Sequence, residues 1–112
     1  MAVANYTEEQ LASAREKLSD AISWRLKNPS AWRYVVRTAQ KQANEGKQVS
    51  GRQLVEAVRK KDFSDVDGKP TRTNNDYAAV IVRWLVMERP YLSKCIEFRR
   101  TALDEIMVAY HG

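Results

Sequence analysis

The chain contains one cysteine, Cys95, and one histidine, His111. No intramolecular disulfide can form, and two ligands cannot assemble a four-coordinate zinc site of the Cys/His type. With 4 glycines and 3 prolines, it lacks the loop-rich composition of disordered or fibrous chains. The longest apolar run, residues 77–82, is interrupted by Arg83 and resumes only as far as Met87. That falls well short of the ~20 residues needed to span a bilayer, so no membrane segment is predicted. The first ten residues, "MAVANYTEEQ", have neither a basic stretch nor an apolar stretch of the kind that forms a secretion signal. A cytoplasmic location is the expectation.

The catalytic toolkit is equally thin. There is no Gly-rich phosphate loop, no G-x-S-x-G and no H-E-x-x-H. His111 stands next to the last residue, a position expected to be solvated. Cys95 falls on an apolar stripe and reads as a small core residue rather than a nucleophile. Asp104-Glu105 and Asp65/Asp67 are acidic pairs, but neither has the ligand series of a calcium loop, and surface solvation is the simpler role. No enzyme activity, cofactor or metal is expected.

What is present is helical periodicity. At 112 residues, 44% hydrophobic and 29% charged, the chain has the length and composition of one folded domain. Thr7 and Gln10 have capping-box spacing, with Tyr6 and Leu11 as a hydrophobic staple, and Leu11, Ala14, Leu18, Ala21 or Ile22, and Arg25 continue the stripe. Asn28-Pro29 ends this helix and starts the next, in which Trp32, Val35, Val36, Ala39 and Ala43 share a face and Gly46 closes the C-terminus. Ser50 and Gln53 repeat the capping box and Val49 and Leu54 the staple, opening a third helix that turns Leu54, Ala57, Val58 and the Lys61 stem inward. Asp67-Gly68 is a turn signal, compatible with a short hairpin or an ordered loop. Asn74 or Asn75 caps a fourth helix, residues 77–87, which is apolar nearly all round and therefore central. After Arg89-Pro90, the residues Leu92, Cys95, Ile96, Arg99, Leu103, Ile106 and Tyr110 predict a last helix. The expectation is an all-α single domain of about five helices.

Charge is distributed unevenly. Residues 1–28 carry four basic and four acidic side chains, whereas residues 31–61 carry eight basic against two acidic, a local excess of +6. At ~100° per residue, Arg33, Arg37 and Lys41 form a stripe on the second helix opposite Trp32, and Arg52 and Arg59 fall together on the third. Two basic amphipathic helices joined by a short Gly-containing connection read as a helix-turn-helix with a wing-like loop after it, although the five-residue link 45–49 is slightly long for that motif. Arg52 and Gln53 would then face base edges, where Arg grips guanine and Gln adenine with two hydrogen bonds each. Lys60, Lys61, Lys69 and Arg72 would meet phosphates, and DNA is favoured over RNA. The bland alternative is that a helix with one apolar side needs a soluble one. A protein-interaction module is the competing function, resting on the long apolar stripe of the last helix, with an acidic protein or a second copy as partner.

The segment "TNNDYAAVIVRWLVMERPYLSKCIEFRR", residues 73–100, resembles short bacteriophage- and prophage-encoded proteins of unassigned activity. The likeness lies in Asn74 and Asn75 starting a helix that contains Arg83, then Pro90, then Glu97 and Arg99. It implies a small, mainly helical bacterial or phage protein and supplies no functional residue. Between helices, Arg83 or Arg99 is expected to pair with an acid such as Glu97 or Asp76.

Overall fold

A computed structural model describes the backbone of residues 6–111 and the side chains of residues 6–107. Within them, helices α1 (Glu8–Lys27), α2 (Pro29–Asn44), α3 (Gly51–Arg59), α4 (Tyr77–Glu88) and α5 (Ala102–His111) are joined by short links, with a 3-10 turn at Pro90–Lys94. The fold is all-α. The predicted terminators act where the physics puts them. The Thr7 hydroxyl accepts the Gln10 amide and the Gln10 side chain accepts the Thr7 amide, closing the capping box of α1. Gly46 adopts φ +72 after α2, and the Gly46 and Lys47 amides return to the carbonyls of Ala43 and Gln42, which is a Schellman motif. At α3 only half of the box forms. Ser50 Oγ accepts the Gln53 amide at 3.4 Å, and the Gln53 side chain stays in solvent.

The core is built around α4, where residues 80–85 are all buried, including Arg83 and Trp84. Trp24, Trp32 and Trp84 are all buried, and the edge of Trp84 meets Trp32 at 5.7 Å. The Arg25 guanidinium lies 4.1 Å over the Trp32 ring and forks onto both Glu88 oxygens, so one cation ties α1, α2 and α4 together. Val55, which the stripe of α3 omitted, is fully buried beside Leu54 and Val58. Lys61, expected to lie inward, is exposed, with its ammonium 4.7 Å from the Tyr34 ring. Cys95 is half-buried against the core.

The structure departs from four expectations. The last helix is not continuous from Leu92, because the 3-10 turn ends at Lys94 and α5 starts only at Ala102. Arg83 braces this link. Its guanidinium donates to Asp104 Oδ1 (2.9 Å) and Oδ2 (3.2 Å), to the carbonyls of Ala79 (2.7 Å) and Arg99 (2.8 Å), and to Thr101 Oγ1 (3.3 Å). The Arg99 carbonyl, left without a helical partner in the link, is taken up by this guanidinium. Thr101 then starts α5, accepting the Leu103 amide while its own amide donates to Asp104 Oδ2 at 2.7 Å. Asp104 is therefore a half-buried ion-pair partner rather than a solvated acid, and it replaces the expected Glu97 or Asp76. The asparagine caps are also modified: Asp76 is the N-cap of α4, and Asn74 Oδ1 accepts its amide in the preceding turn. Residues 1–5 of the N-terminal segment, and the side chains of Tyr110 and His111, lie outside the described residues.

Two stability predictions follow from this packing. Trp84→Ala should cost about 3–5 kcal/mol in denaturant unfolding, the range for large-to-small aromatic changes in a core, and a loss under about 1 kcal/mol would contradict the central placement of α4. Burial alone would raise the Asp104 carboxyl, but the Arg83 hydrogen bond, the Thr101 amide and the charges of Arg83 and Arg100 outweigh it and hold it below the ordinary carboxylate value. A depressed acid contributes stability that is complete above its unfolded pKa of about 4 and is lost as pH falls through the lower folded value. Asp104→Asn should cost about 3 kcal/mol at pH 7, because either oxygen it replaces with NH2 faces a donor. The variant's stability should also fall less steeply than wild type in acid.

Candidate nucleic-acid interface

The surface made by α2, α3 and the following loop is held in place by four specific contacts. Gly51 lies so close to α4 that a Cβ there would stand 2.6 Å from the Ala78 carbonyl oxygen and 2.8 Å from Val82 Cγ1. The absence of a side chain sets the distance between α3 and α4. At the other end of α3, Arg59 donates through Nε (3.1 Å) and Nη2 (2.8 Å) to the Thr73 carbonyl and through Nη1 to Glu56 (2.9 Å). Buried Thr73 accepts the Trp24 indole N–H at 3.2 Å, and buried Asn28 accepts the Thr71 hydroxyl at 2.7 Å while donating to the Trp24 carbonyl. The α1–α2 corner and the end of α3 thus hold the same three residues, 71–73.

Between those anchors the loop is a minimal hairpin. Ser64 and Pro70 form an antiparallel bridge, the Asp65 amide donates to the Lys69 carbonyl (2.7 Å), and Thr71 donates to Phe63 (2.9 Å). Asp65 Oδ1 accepts the amides of Asp67 and Lys69, each at 2.9 Å, and Gly68 takes φ +77, a conformation that favours glycine. The hairpin docks on α1 through the Val66 amide and the Lys27 carbonyl (2.8 Å). Residues 62–72 carry three carboxylates, Asp62, Asp65 and Asp67, against Lys69 and Arg72, a net charge of −1.

The sequence-derived candidates separate into groups. Gln53, Lys60 and Lys61 line one depression of about 390 Å3 together with Tyr34, Glu56 and Ala57. Arg33 and Arg37 line another, of about 270 Å3, on the other flank of α2. Lys69 and Arg72 line a third, about 570 Å3, near Asp20, Asp65 and Tyr77, so acids share their surroundings. Arg52 and Lys41 are exposed. Arg59 is a brace rather than a free cation, since its guanidinium serves Thr73 and Glu56. The link between α2 and α3 spans residues 45–50, one longer than expected because Ser50 is the N-cap. Arg89, which the sequence marks only as part of the Arg89-Pro90 helix break, is a further basic residue of this surface. It faces the Arg33/Arg37 depression from the end of α4. Periodicity within α2 could not find a residue 52 positions away from Arg37.

Among the described residues, no group of three His, Cys, Asp or Glu side chains could hold a metal ion, and no helix is long and apolar enough to cross a membrane. The described part of the last helix's stripe is covered: Ala102, Leu103 and Met107 are buried. No protein-family model, curated protein or solved structure matches the chain.

Because α3 owes its position to the bare Gly51, Gly51→Ala should destabilise the domain by about 1–3 kcal/mol, the usual cost of overpacking. Amide chemical shifts of Ala78 and Val82 should move with it. Unchanged stability with shifts confined to residue 51 would mean that α3 is free to slide on α4.

Proposed function

We propose that the protein is a non-catalytic nucleic-acid-binding domain, of helix-turn-helix-like arrangement, that meets duplex DNA with the outward faces of α2 and α3. One observation carries the reading. On α3 and its C-cap, Arg52 and Lys60 are exposed and form no ion pair among the described residues, Gln53 is exposed beside them, and the one acid on that face, Glu56, is already paired with Arg59 at 2.9 Å. An ordinary solvated helix face tends to interleave both signs. Here the acid is matched locally and the remaining cations are left for an external anion. Arg52 and Gln53, in the first turns of α3, are the residues for base edges; Lys41, Lys60 and Lys61 are suited to phosphates. The hairpin, at −1, supports the surface sterically and contributes less electrostatically than Lys69 and Arg72 alone would suggest.

An acidic protein could use the same cations. The observation favouring it is the exposure of Leu26 (73%) and Val66 (63%), adjacent through the Val66–Lys27 hydrogen bond. Such isolated apolar side chains are common on monomers, so they support this reading more weakly.

Fluorescence anisotropy with labelled duplexes tests the proposal. Each neutralised phosphate contributes about −0.9 to the log–log slope of affinity on salt. Lys60→Ala should weaken all duplexes alike and reduce that slope by about one, whereas Arg52→Ala should relax preference by about 1–3 kcal/mol at one base pair. Lys69→Ala and Arg72→Ala should change the slope less than Lys60→Ala does. Affinity no tighter than about 100 μM at low salt, weaker than ordinary non-specific binders, would remove the nucleic-acid reading.

A further inference from the structure

The depression between the N-terminal half of α2 and the end of α4 is lined by Arg33, Arg37, Arg89, Trp32 and Val36, with a volume of about 270 Å3. Three guanidiniums border it and no carboxylate does. The nearest acid, Glu88, is already occupied: its two oxygens accept Arg25 Nη1 and Nη2 at 2.6 and 2.9 Å. Arg89 shares Glu88 only as a loose ion pair, Nη1 to Oε1 at 3.7 Å, too long for a hydrogen bond, so its donors remain free for an anion. Arg33 makes only a 3.1 Å hydrogen bond to the Ser30 hydroxyl, and Arg37 has no ion-pair partner among the described residues. The first turn of α2 contains no acidic residue either, so the partial positive charge of that helix end is also unbalanced.

Like charges around one concavity repel each other unless an anion enters. The size and chemistry of the anion can be read from the walls. Arginine presents planar pairs of donors that match phosphate oxygens two at a time, and three forks can surround a tetrahedral oxyanion. Trp32 is 8% exposed, with Arg25 stacked over its ring, so it forms an apolar floor and offers no free face for stacking a base. A nucleobase pocket would need that face. We infer that Arg33, Arg37 and Arg89 form a phosphate-binding site that takes a single phosphate group, carried by a nucleic-acid backbone or by a free phosphomonoester. Only the identity of the carrier rests on the nucleic-acid reading above; the site itself stands on its own walls. If the carrier is DNA, the site adds a contact on the α2 flank remote from the hairpin, set by α4 rather than by α3.

The test uses the full chain, with inorganic phosphate, a nucleoside monophosphate and a duplex as separate probes, followed by arginine Nε–Hε signals in NMR titrations at constant ionic strength. Saturable shifts of Arg33, Arg37 and Arg89 with inorganic phosphate, absent with chloride, are expected. Arg37→Ala and Arg89→Ala should each weaken phosphate binding about tenfold, the order of one charge-assisted bond, while Arg37→Lys should recover part of it by restoring charge without the fork. Arg15→Ala, on the exposed side of α1, should have no effect. Thermal melts of each variant check that it remains folded; Arg33 and Arg37 are exposed and Arg89 is half-buried. If Arg37→Ala and Arg89→Ala weaken duplex as well as phosphate, and Lys60→Ala weakens duplex alone, the carrier is nucleic acid. If the monophosphate saturates the site and no duplex binds, the phosphate site stands and the nucleic-acid reading falls. Shifts that do not saturate, or that persist equally in the double variant Arg37→Ala/Arg89→Ala, overturn the site.

Discussion

A guanidinium that is 3% exposed remains charged at a tolerable cost only if nearly every N–H finds an acceptor, and the structure of this protein is arranged around meeting that demand for Arg83. Its position in the middle of α4, between Val82 and Trp84, leaves it no route to solvent. The acceptors come from α4 itself (Ala79), from the link before α5 (Arg99, Thr101) and from α5 (Asp104), and the Phe98 ring covers the group at 4.4 Å. An extended link and a helix start at Ala102 accompany this arrangement. The α5 helix then packs Leu103 and Met107 into the core. One buried charge thus ties the link and α5 to α4.

The other structural arginines repeat this logic at lower cost. Arg25 is matched to Glu88 and stacked on Trp32 and Trp84, Arg59 is matched to Glu56 and the Thr73 carbonyl, and Arg100 is matched to Glu105. Each joins two pieces of backbone. Arg33, Arg37, Arg52, Lys41 and Lys60 have no carboxylate partner among the described residues, and all lie on the outward sides of α2 and α3. Exposed pairs contribute little to stability in any case, so leaving these cations unmatched costs the fold almost nothing while raising the local potential.

Local devices were legible in the sequence because their physics is local. The Thr7 box, the Gly46 terminator, the Asp67-Gly68 turn and the unbroken apolar face of α4 each depend on residues within four or five positions. What could not be read was anything settled by an acceptor far along the chain. The stripe from Leu92 to Tyr110 has helical period, yet the chain breaks between Lys94 and Ala102, where Arg83, 16 residues before Arg99, supplies the donors that satisfy the link. The same limit hid Arg89 beside Arg37, whereas Val55 was legible, since residues 51, 54, 55 and 58 share one helical stripe. Thr101 and Asp104 do have the spacing that marked Thr7 and Ser50, and this signal was available. It was masked by the stripe running through it.

The charge pattern also bears on how a polyanion would lie on the proposed surface. A wing that follows a phosphate backbone should be basic at its tip, yet here Asp67 is at the tip and Asp62 at its base, and Asp65 spends one oxygen on the amides that make the turn. Lys69 and Arg72 sit near Asp20 and Asp65 on the side facing α1. The exposed cations without a carboxylate partner among the described residues lie instead on α3 and α2. On the proposed reading the hairpin therefore acts as a wall: its rigid anchoring through Thr71, Thr73 and Arg59 fixes one end of α3, and its carboxylates bias a phosphate chain toward the arginines at the opposite flank.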